Sequence, residues 1–144
     1  MLKTLSMLGL LVMIAALVGL YRIGSLVSSQ PLVIALQAGA ILLMIWARVT
    51  FGRRSFHAAA NPTAGGLVTW GPYRYIRHPI YTAVCLFGWA GIAAHASAAS
   101  VALGAVLLAG GLTRMLSEER LVSAMYPEYG EYAKRTKRMI PFVF

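Results

Sequence analysis

Charged side chains are absent from four stretches of the chain, residues 5–20, 31–47, 80–94 and 97–113. Each stretch is apolar on every side of a helix rather than along one stripe, the pattern of a helix surrounded by an apolar medium. Their 15 to 17 residues fall a little short of the roughly 20 that cross a bilayer core at about 1.5 Å per residue. Flanking aromatics such as Tyr21 and Trp70 suit the two interfaces. The pattern predicts four transmembrane helices, at about 5–21, 31–47, 79–95 and 97–115, with a cytoplasmic helical segment over 116–144. The expected fold class is therefore an all-α integral membrane protein, a single domain over residues 1–144. Lys3 ahead of the first run resembles the start of a leader, but no clear small-x-small cleavage pattern precedes the polar YRIGS, so a retained anchor is expected.

Composition changes this picture little, whereas charge refines it. The chain is 59% hydrophobic and only 12% charged, with a mean hydropathy of +0.71, well beyond an average soluble domain. A net charge of +9 invites a nucleic-acid reading, and its placement argues against one. Arg48, Arg53, Arg54, Arg74 and Arg77 lie between the second and third runs, and Arg114, Arg120, Lys134, Arg135, Lys137 and Arg138 follow the fourth. The remaining connections hold Arg22 and the uncharged HASAAS. Basic residues gathered on alternate loops set topology, so both termini and the middle loop are expected in the cytoplasm. The compact, Ala-rich chain points to a prokaryotic inner membrane. Cys85 stands alone within a run, where a small buried apolar side chain is its expected role.

The polar chemistry is thereby confined to residues 48–79 and 114–144. The hairpin between them brings the chain back to the level it left, which makes GPYRYIRHPIY, residues 71–81, a neighbour of RMLSEERL, residues 114–121. The middle loop carries turn signals at Asn61-Pro62, Gly65-Gly66 and Gly71-Pro72 and is too long for a plain connector. Pro127 is expected to kink or restart the last helix. Pro79 fits the first turn of the third helix, where its missing N–H costs nothing, placing His78 near the N-cap and Tyr81 about one turn in. A helix N-terminus with Arg77 beside it suits a carboxylate or phosphate; the plainer reading makes Arg77 and His78 interface markers. Arg114 and Glu118 share a helix face at i, i+4. Glu118 and Glu119 are two of only four acids, and adjacent carboxylates near a bilayer are costly unless cations answer them. Arg114 and Arg120 would do so in a structural cluster; alternatively, one carboxylate binds a cationic or polyhydroxylated ligand. Together these features suit a ligand with an anionic end, a cationic centre and hydroxyls, met at the lipid boundary. His57, His78 and His95 have no metal-ligand spacing and Cys85 has no companion, so no metal is expected. GxSxG, P-loop and dinucleotide motifs are absent.

The pairing of LVTWGPYRYIRHPIY with a later R-x-x-x-E-E, then Y-P-E-Y-G-E-Y and a closing R-x-I-P, resembles the isoprenylcysteine carboxyl methyltransferase family, whose relatives include the membrane phospholipid N-methyltransferases. The resemblance runs from about Arg48 to Pro141. It implies an integral membrane enzyme that uses S-adenosylmethionine and releases S-adenosylhomocysteine, with the cofactor site formed by the middle loop and C-terminal segment. The family's cofactor contacts would fall on Leu67, Val68, Tyr73, His78, Pro79, Ile80, Tyr81 and Glu118, with Arg77 joining them from the anion reading above. Arg114 would face the methyl acceptor. One departure stands out: Ala83 occupies a position that is often Gly in the family, where a methyl group would crowd a close approach.

The resemblance further implies an in-line displacement. A carboxylate acceptor, on a prenylcysteine-like or other small lipophilic molecule, is already ionised and needs only positioning and water exclusion, with Arg114 supplying a bidentate pair. An amine acceptor must shed a proton, for which Glu119 and Tyr81 are candidates. The acceptor would enter from the bilayer, and the tail KRTKRMIPFVF would touch lipid headgroups or close the site. Alternatives are a phospholipid or lipid amine N-methyltransferase, an NADPH-dependent steroid-type reductase, and a non-enzymatic four-helix membrane protein such as a small transporter. Proton-coupled transporters usually carry an acid within a span, and these runs hold none.

Overall fold

The computed structural model describes residues 1–52 and 66–144. Arg53, Arg54, His57 and the turn signals at Asn61-Pro62 and Gly65 lie outside the described residues. Among the described residues five α-helices follow one another: α1 (Leu2–Arg22), α2 (Pro31–Phe51), α3 (Pro79–Ala94), α4 (Ala98–Met125) and α5 (Tyr129–Arg135), with a 3₁₀ turn at Gly71–Arg74 before α3. Among the described residues there is no strand, only an isolated parallel bridge between Ile76 and Lys137.

The helix ends follow local chemistry. Pro31 and Pro79 open α2 and α3, using the position where proline loses no hydrogen bond. Ser97 caps α4: its Oγ accepts from Ser100 N–H while Ser100 Oγ accepts from Ser97 N–H, a reciprocal cap that satisfies two otherwise orphaned donors. Gly52, at φ 69°, ends α2. The four expected spans are all helices. α1, α2 and α4 are long and apolar enough to cross a membrane, and α3 is a shorter apolar helix. The helix expected to carry Arg114 and Glu118 on one face is continuous across the end of the fourth apolar run. α4 runs unbroken from Ala98 to Met125, since Glu118, Glu119 and Arg120 are good helix formers and nothing before Pro127 interrupts the backbone ladder. Pro127 does separate α4 from α5.

Packing shows what surrounds the helices. α1 buries Ser6, Gly9, Met13, Ala16 and Leu20, one residue every three or four, while Leu8, Leu11 and Ile14 stay exposed. α2 repeats the arrangement with Val33, Gln37, Ala40 and Ala47 inside and Ile34, Leu42 and Ile45 outside. Small residues inward and large aliphatic ones outward is how helices pack in lipid, where close backbone approach rather than water exclusion drives association. α1 lies antiparallel to α4, with Gly9 against Gly110 and Gly19 against Leu103. α3 lies antiparallel to α4, with Gly88 against Leu107 and Gly104 against Trp89. α2 lies along α3, and Gln37 Nε2 donates to the carbonyls of Leu26 (2.7 Å) and Phe87 (3.2 Å). The starts of α1 and α3 and the ends of α2 and α4 therefore meet at one end of the bundle.

The contact of α1 with α4 sets backbone against backbone. A Cβ at Gly9 would lie 2.8 Å from the Gly110 carbonyl oxygen, backbone that has nowhere to move, whereas one at Gly39 meets nothing within 4 Å. Gly9→Leu is expected to lower stability by about 1–3 kcal/mol, the usual range for overpacking, and Gly39→Leu to leave it unchanged. Thermal unfolding of the two variants in one detergent checks this.

Candidate functional site

The segment leading into α3 is folded onto the end of α2. Gly71 has φ 60°, and a Cβ there would sit 2.6 Å from Thr50 Oγ1, so glycine serves both the left-handed conformation and the close approach. The 3₁₀ turn that follows buries Tyr73, whose ring packs at 5.4 Å from Phe51. Ala47, Val68 and Tyr73 form an apolar cluster with Phe51 and Ile80 beside them. Val68, Tyr73 and Ile80, all expected at the site, thus lie together on the α2 side of the start of α3, with half-buried Leu67 adjoining in sequence.

The opposite side of α3 faces α4. His78 is the N-cap and Pro79 the first residue of the helix. Tyr81 Oη donates to Glu118 Oε1 at 2.5 Å. Arg114 Nε donates to the same hydroxyl at 2.5 Å and lies 3.2 Å from Glu118 Oε1. A third helix joins in, since Arg114 Nη1 donates to the Ser6 carbonyl of α1 at 3.3 Å. Arg114 is buried, but the Glu118 side chain keeps 23% of its surface. Its Oε1 is doubly engaged, and its Oε2 stands 4.0 Å from His78 Nδ1.

Glu119 forms a second cluster one residue on. Its carboxylate meets Arg77 Nε at 3.0 Å, His78 Nε2 at 3.2 Å, and Arg138 through Nε (3.1 Å) and Nη2 (3.0 Å) on Oε2. The cations that answer Glu119 are thus Arg77 and Arg138, not the sequence neighbour Arg120, because Arg120 lies on the exposed side of α4. Arg77 also donates through Nη1 to the carbonyls of Ala133 (2.9 Å) and Thr136 (2.5 Å). Arg77 is thus paired with the protein's own Glu119 carboxylate.

The tail after α5 closes over the same point as a strap. Arg77 N–H donates to the Lys137 carbonyl (2.7 Å), His78 N–H to that of Arg138 (2.9 Å), and Lys137 N–H to that of Tyr75 (3.3 Å). Thr82 Oγ1 donates to the Met139 carbonyl at 2.9 Å, and Tyr132 Oη to that of Tyr73 at 2.7 Å. Burial pushes the phenols of Tyr73, Tyr129 and Tyr132 well above the ordinary tyrosine range, which keeps them protonated donors.

Arg77, His78, Pro79, Tyr81, Arg114, Glu118 and Glu119 are therefore brought to one place, flanked by the apolar cluster. Ala83 is buried but faces α2, lining with Leu17, Met44 and Phe87 an apolar cavity of about 190 Å³. Sequence reasoning missed Ser6, which acts through its backbone carbonyl and leaves no side-chain signal, and Thr136, which accepts from Arg77 through both its carbonyl and its Oγ1; Arg138 was marked by the basic tail and the closing R-x-I-P. Among the described residues no group of three or more His, Cys, Asp or Glu is arranged to hold a metal ion.

Comparison with known proteins bears on this geometry. The model of a family described as phospholipid methyltransferase matches residues 30–129. The nickel-cobalt-cadmium resistance protein NccN of Alcaligenes xylosoxydans xylosoxydans is 41% identical over 80 residues, covering 52% of this chain and 36% of that protein. The cobalt-zinc-cadmium resistance protein CzcN of Cupriavidus metallidurans is 39% identical over 80 residues, covering 52% and 35%. The chain thus spans about a third of the length of these relatives. No solved structure matches. α1 and the strap lie outside the matched residues.

The two arginines on Glu119 differ in burial, with 8% of the Arg77 side chain exposed against 34% of Arg138. Removing a buried partner leaves an uncompensated charge at a cost of about 3–5 kcal/mol, whereas half-solvated pairs contribute closer to about 1 kcal/mol. Arg77→Gln is expected to destabilise more than Arg138→Gln and to free the strap. Thermal unfolding gives the ranking, and tryptic cleavage after Lys137 reports the release.

Proposed function

This chain belongs to the phospholipid methyltransferase family, a family of membrane methyltransferases, and from that premise we infer that it transfers a methyl group from S-adenosylmethionine to a lipophilic acceptor at the cytoplasmic face of the membrane. The observation that carries the reading is the partly exposed Glu118 carboxylate, fixed by the buried Arg114 and Tyr81 at the first turn of α3.

The residues present fit such a cofactor. Glu118 offers Oε2 beside His78, an acceptor suited to an ammonium or to ribose hydroxyls. The first turn of α3, from His78 through Tyr81, presents a positive helix end suited to a carboxylate. Val68, Tyr73 and Ile80 form an apolar wall adjoining Leu67, suited to a flat ring. When bound, the cofactor supplies an electrophilic methyl on a sulfonium. The chain's own part is then to position and to exclude water. Arg77 and Glu119 hold His78 and α4 in register and act as positioning residues, since their hydrogen bonds are directed to one another and to the strap.

Arg114 decides between acceptors. Its guanidinium at the lipid end of the site suits a carboxylate, which needs no base. The second reading takes the family description at its word and makes the acceptor the amine of a phospholipid. The hydrogen bond from Tyr81 to Glu118 then offers a route for the proton that the amine releases, and Glu119 stands one residue away as a second carboxylate.

Purified protein in detergent is expected to bind S-adenosylhomocysteine, with Glu118→Gln weakening it at least tenfold, the effect of losing a hydrogen bond to a charged group. Folded wild-type protein that shows no calorimetric binding would overturn the reading. Arg114→Lys removes the bidentate fork and is expected to lower transfer more than it lowers that binding, because Arg114 also helps to fix Glu118. Methyl label carried into lipid extracts separates the acceptors, because an ester loses the label in base and a methylated amine keeps it.

A further inference from the structure

We propose that the hook at the end of the strap, residues 139–144, docks into an anionic lipid surface beside the start of α3 and so holds the strap over the site. This goes beyond the methyl-transfer reading and stands or falls separately from it.

Depth is the first observation. Met139 is buried in one cluster with Tyr81, Cys85 and Met115, so the hook leaves the bundle level with the first turns of α3, where the apolar run begins. The hook then turns back on itself. Val143 N–H donates to the Ile140 carbonyl at 3.1 Å, and the N–H groups of Met139 and Ile140 both reach the Phe144 oxygen at 2.7 Å.

Residue choice at that turn is the second observation. Pro141 takes the second position and Phe142 the third, at φ 67°. A turn with proline second and positive φ third ordinarily carries glycine or asparagine there, and a bulky residue at positive φ is uncommon. Local folding does not select phenylalanine at this place. Phe142 is 89% exposed, next to Val143 at 71% and Ile140 at 53%. An apolar tip displayed at the depth of the interface, on a backbone that favours glycine, is suited to insertion among lipids.

Charge names the kind of lipid. Lys134, Arg135 and Lys137 are exposed just before the hook. Lys134 is bonded to Glu131 at 2.6 Å, and Glu128 is the other acid nearby. Arg138 turns inward to Glu119 and lies 5.6 Å over the Phe144 ring. Cations beside an inserted apolar tip are the arrangement that favours anionic headgroups. The carbonyls of Lys137 and Arg138 hold the N–H groups of Arg77 and His78, so a docked hook fixes the segment on which the site is built.

The test uses the full chain in nanodiscs, with Cys85→Ala and Val143→Cys carrying an environment-sensitive fluorophore. Quenching by acrylamide, a neutral solute, is expected to be several-fold weaker in discs containing phosphatidylglycerol than in discs of phosphatidylcholine alone. Phe142→Gly, which suits the turn, is expected to restore quenching without lowering the unfolding temperature. Replacing Lys134, Arg135 and Lys137 together by Gln is expected to remove the difference between the two lipids. Equal quenching in both discs, or an unchanged response in Phe142→Gly, overturns the proposal. Protection found only in discs holding two copies would assign the hook to a second chain and overturn it equally.

Discussion

The Glu119 carboxylate is the constraint on which the rest of the site depends. It is a charge at the edge of a membrane bundle, with 13% of its side chain exposed, and such a charge persists only when paired. Its charged or polar partners come from two places in the chain: Arg77 and His78 before α3, and Arg138 in the strap. Satisfying one carboxylate therefore draws the start of α3, the end of α4 and the C-terminal segment together. His78 reaches Glu119 with one ring nitrogen while the other faces Glu118. The structural cluster and the candidate ligand site thus share a residue, and disturbing the first is felt in the second.

Neighbouring carboxylates thereby acquire different tasks from their surroundings. Glu119 is enclosed by the side chains of Arg77, His78 and Arg138. Glu118 is anchored from one side by Tyr81 and Arg114 and keeps part of its surface open. Close helix packing makes the difference possible. Gly9 and Gly110 let α1 approach α4 until the Ser6 carbonyl meets Arg114, which fixes the guanidinium from the side opposite Glu118. The first helix lies outside the matched family region, yet it contributes to the arginine proposed to meet the acceptor.

Much of this arrangement was legible in the sequence. Runs without charge gave the helices, because lipid exposure demands apolar residues on every face. Pro79 gave the start of α3, and the hairpin made Tyr81 and Arg114 neighbours. The rest was hidden for physical reasons. Apolar runs do not reveal which helices touch, so the approach of α1 to Arg114 had no signature beyond scattered glycines. Hydropathy reports where lipid ends rather than where a helix ends, so α4 continues past its apolar run until proline interrupts it. Arg114 and Arg120 were the cations expected to answer the two glutamates; Arg114 does meet Glu118, but neighbouring residues on a helix point about 100° apart, and the arginines on Glu119 came from 42 and 19 residues away. The tail was expected to touch headgroups or close the site, but its register on the start of α3 left no signature because much of it is held through backbone groups.

The central claim is that S-adenosylmethionine sits between the start of α3 and Glu118. Photo-crosslinking of methyl-labelled S-adenosylmethionine to the purified protein, followed by peptide mapping, tests it most directly. The account predicts label in the peptides spanning residues 67–81 and 114–120, competed away by S-adenosylhomocysteine. Competable label confined to α1 or to the α1–α2 connection would contradict it.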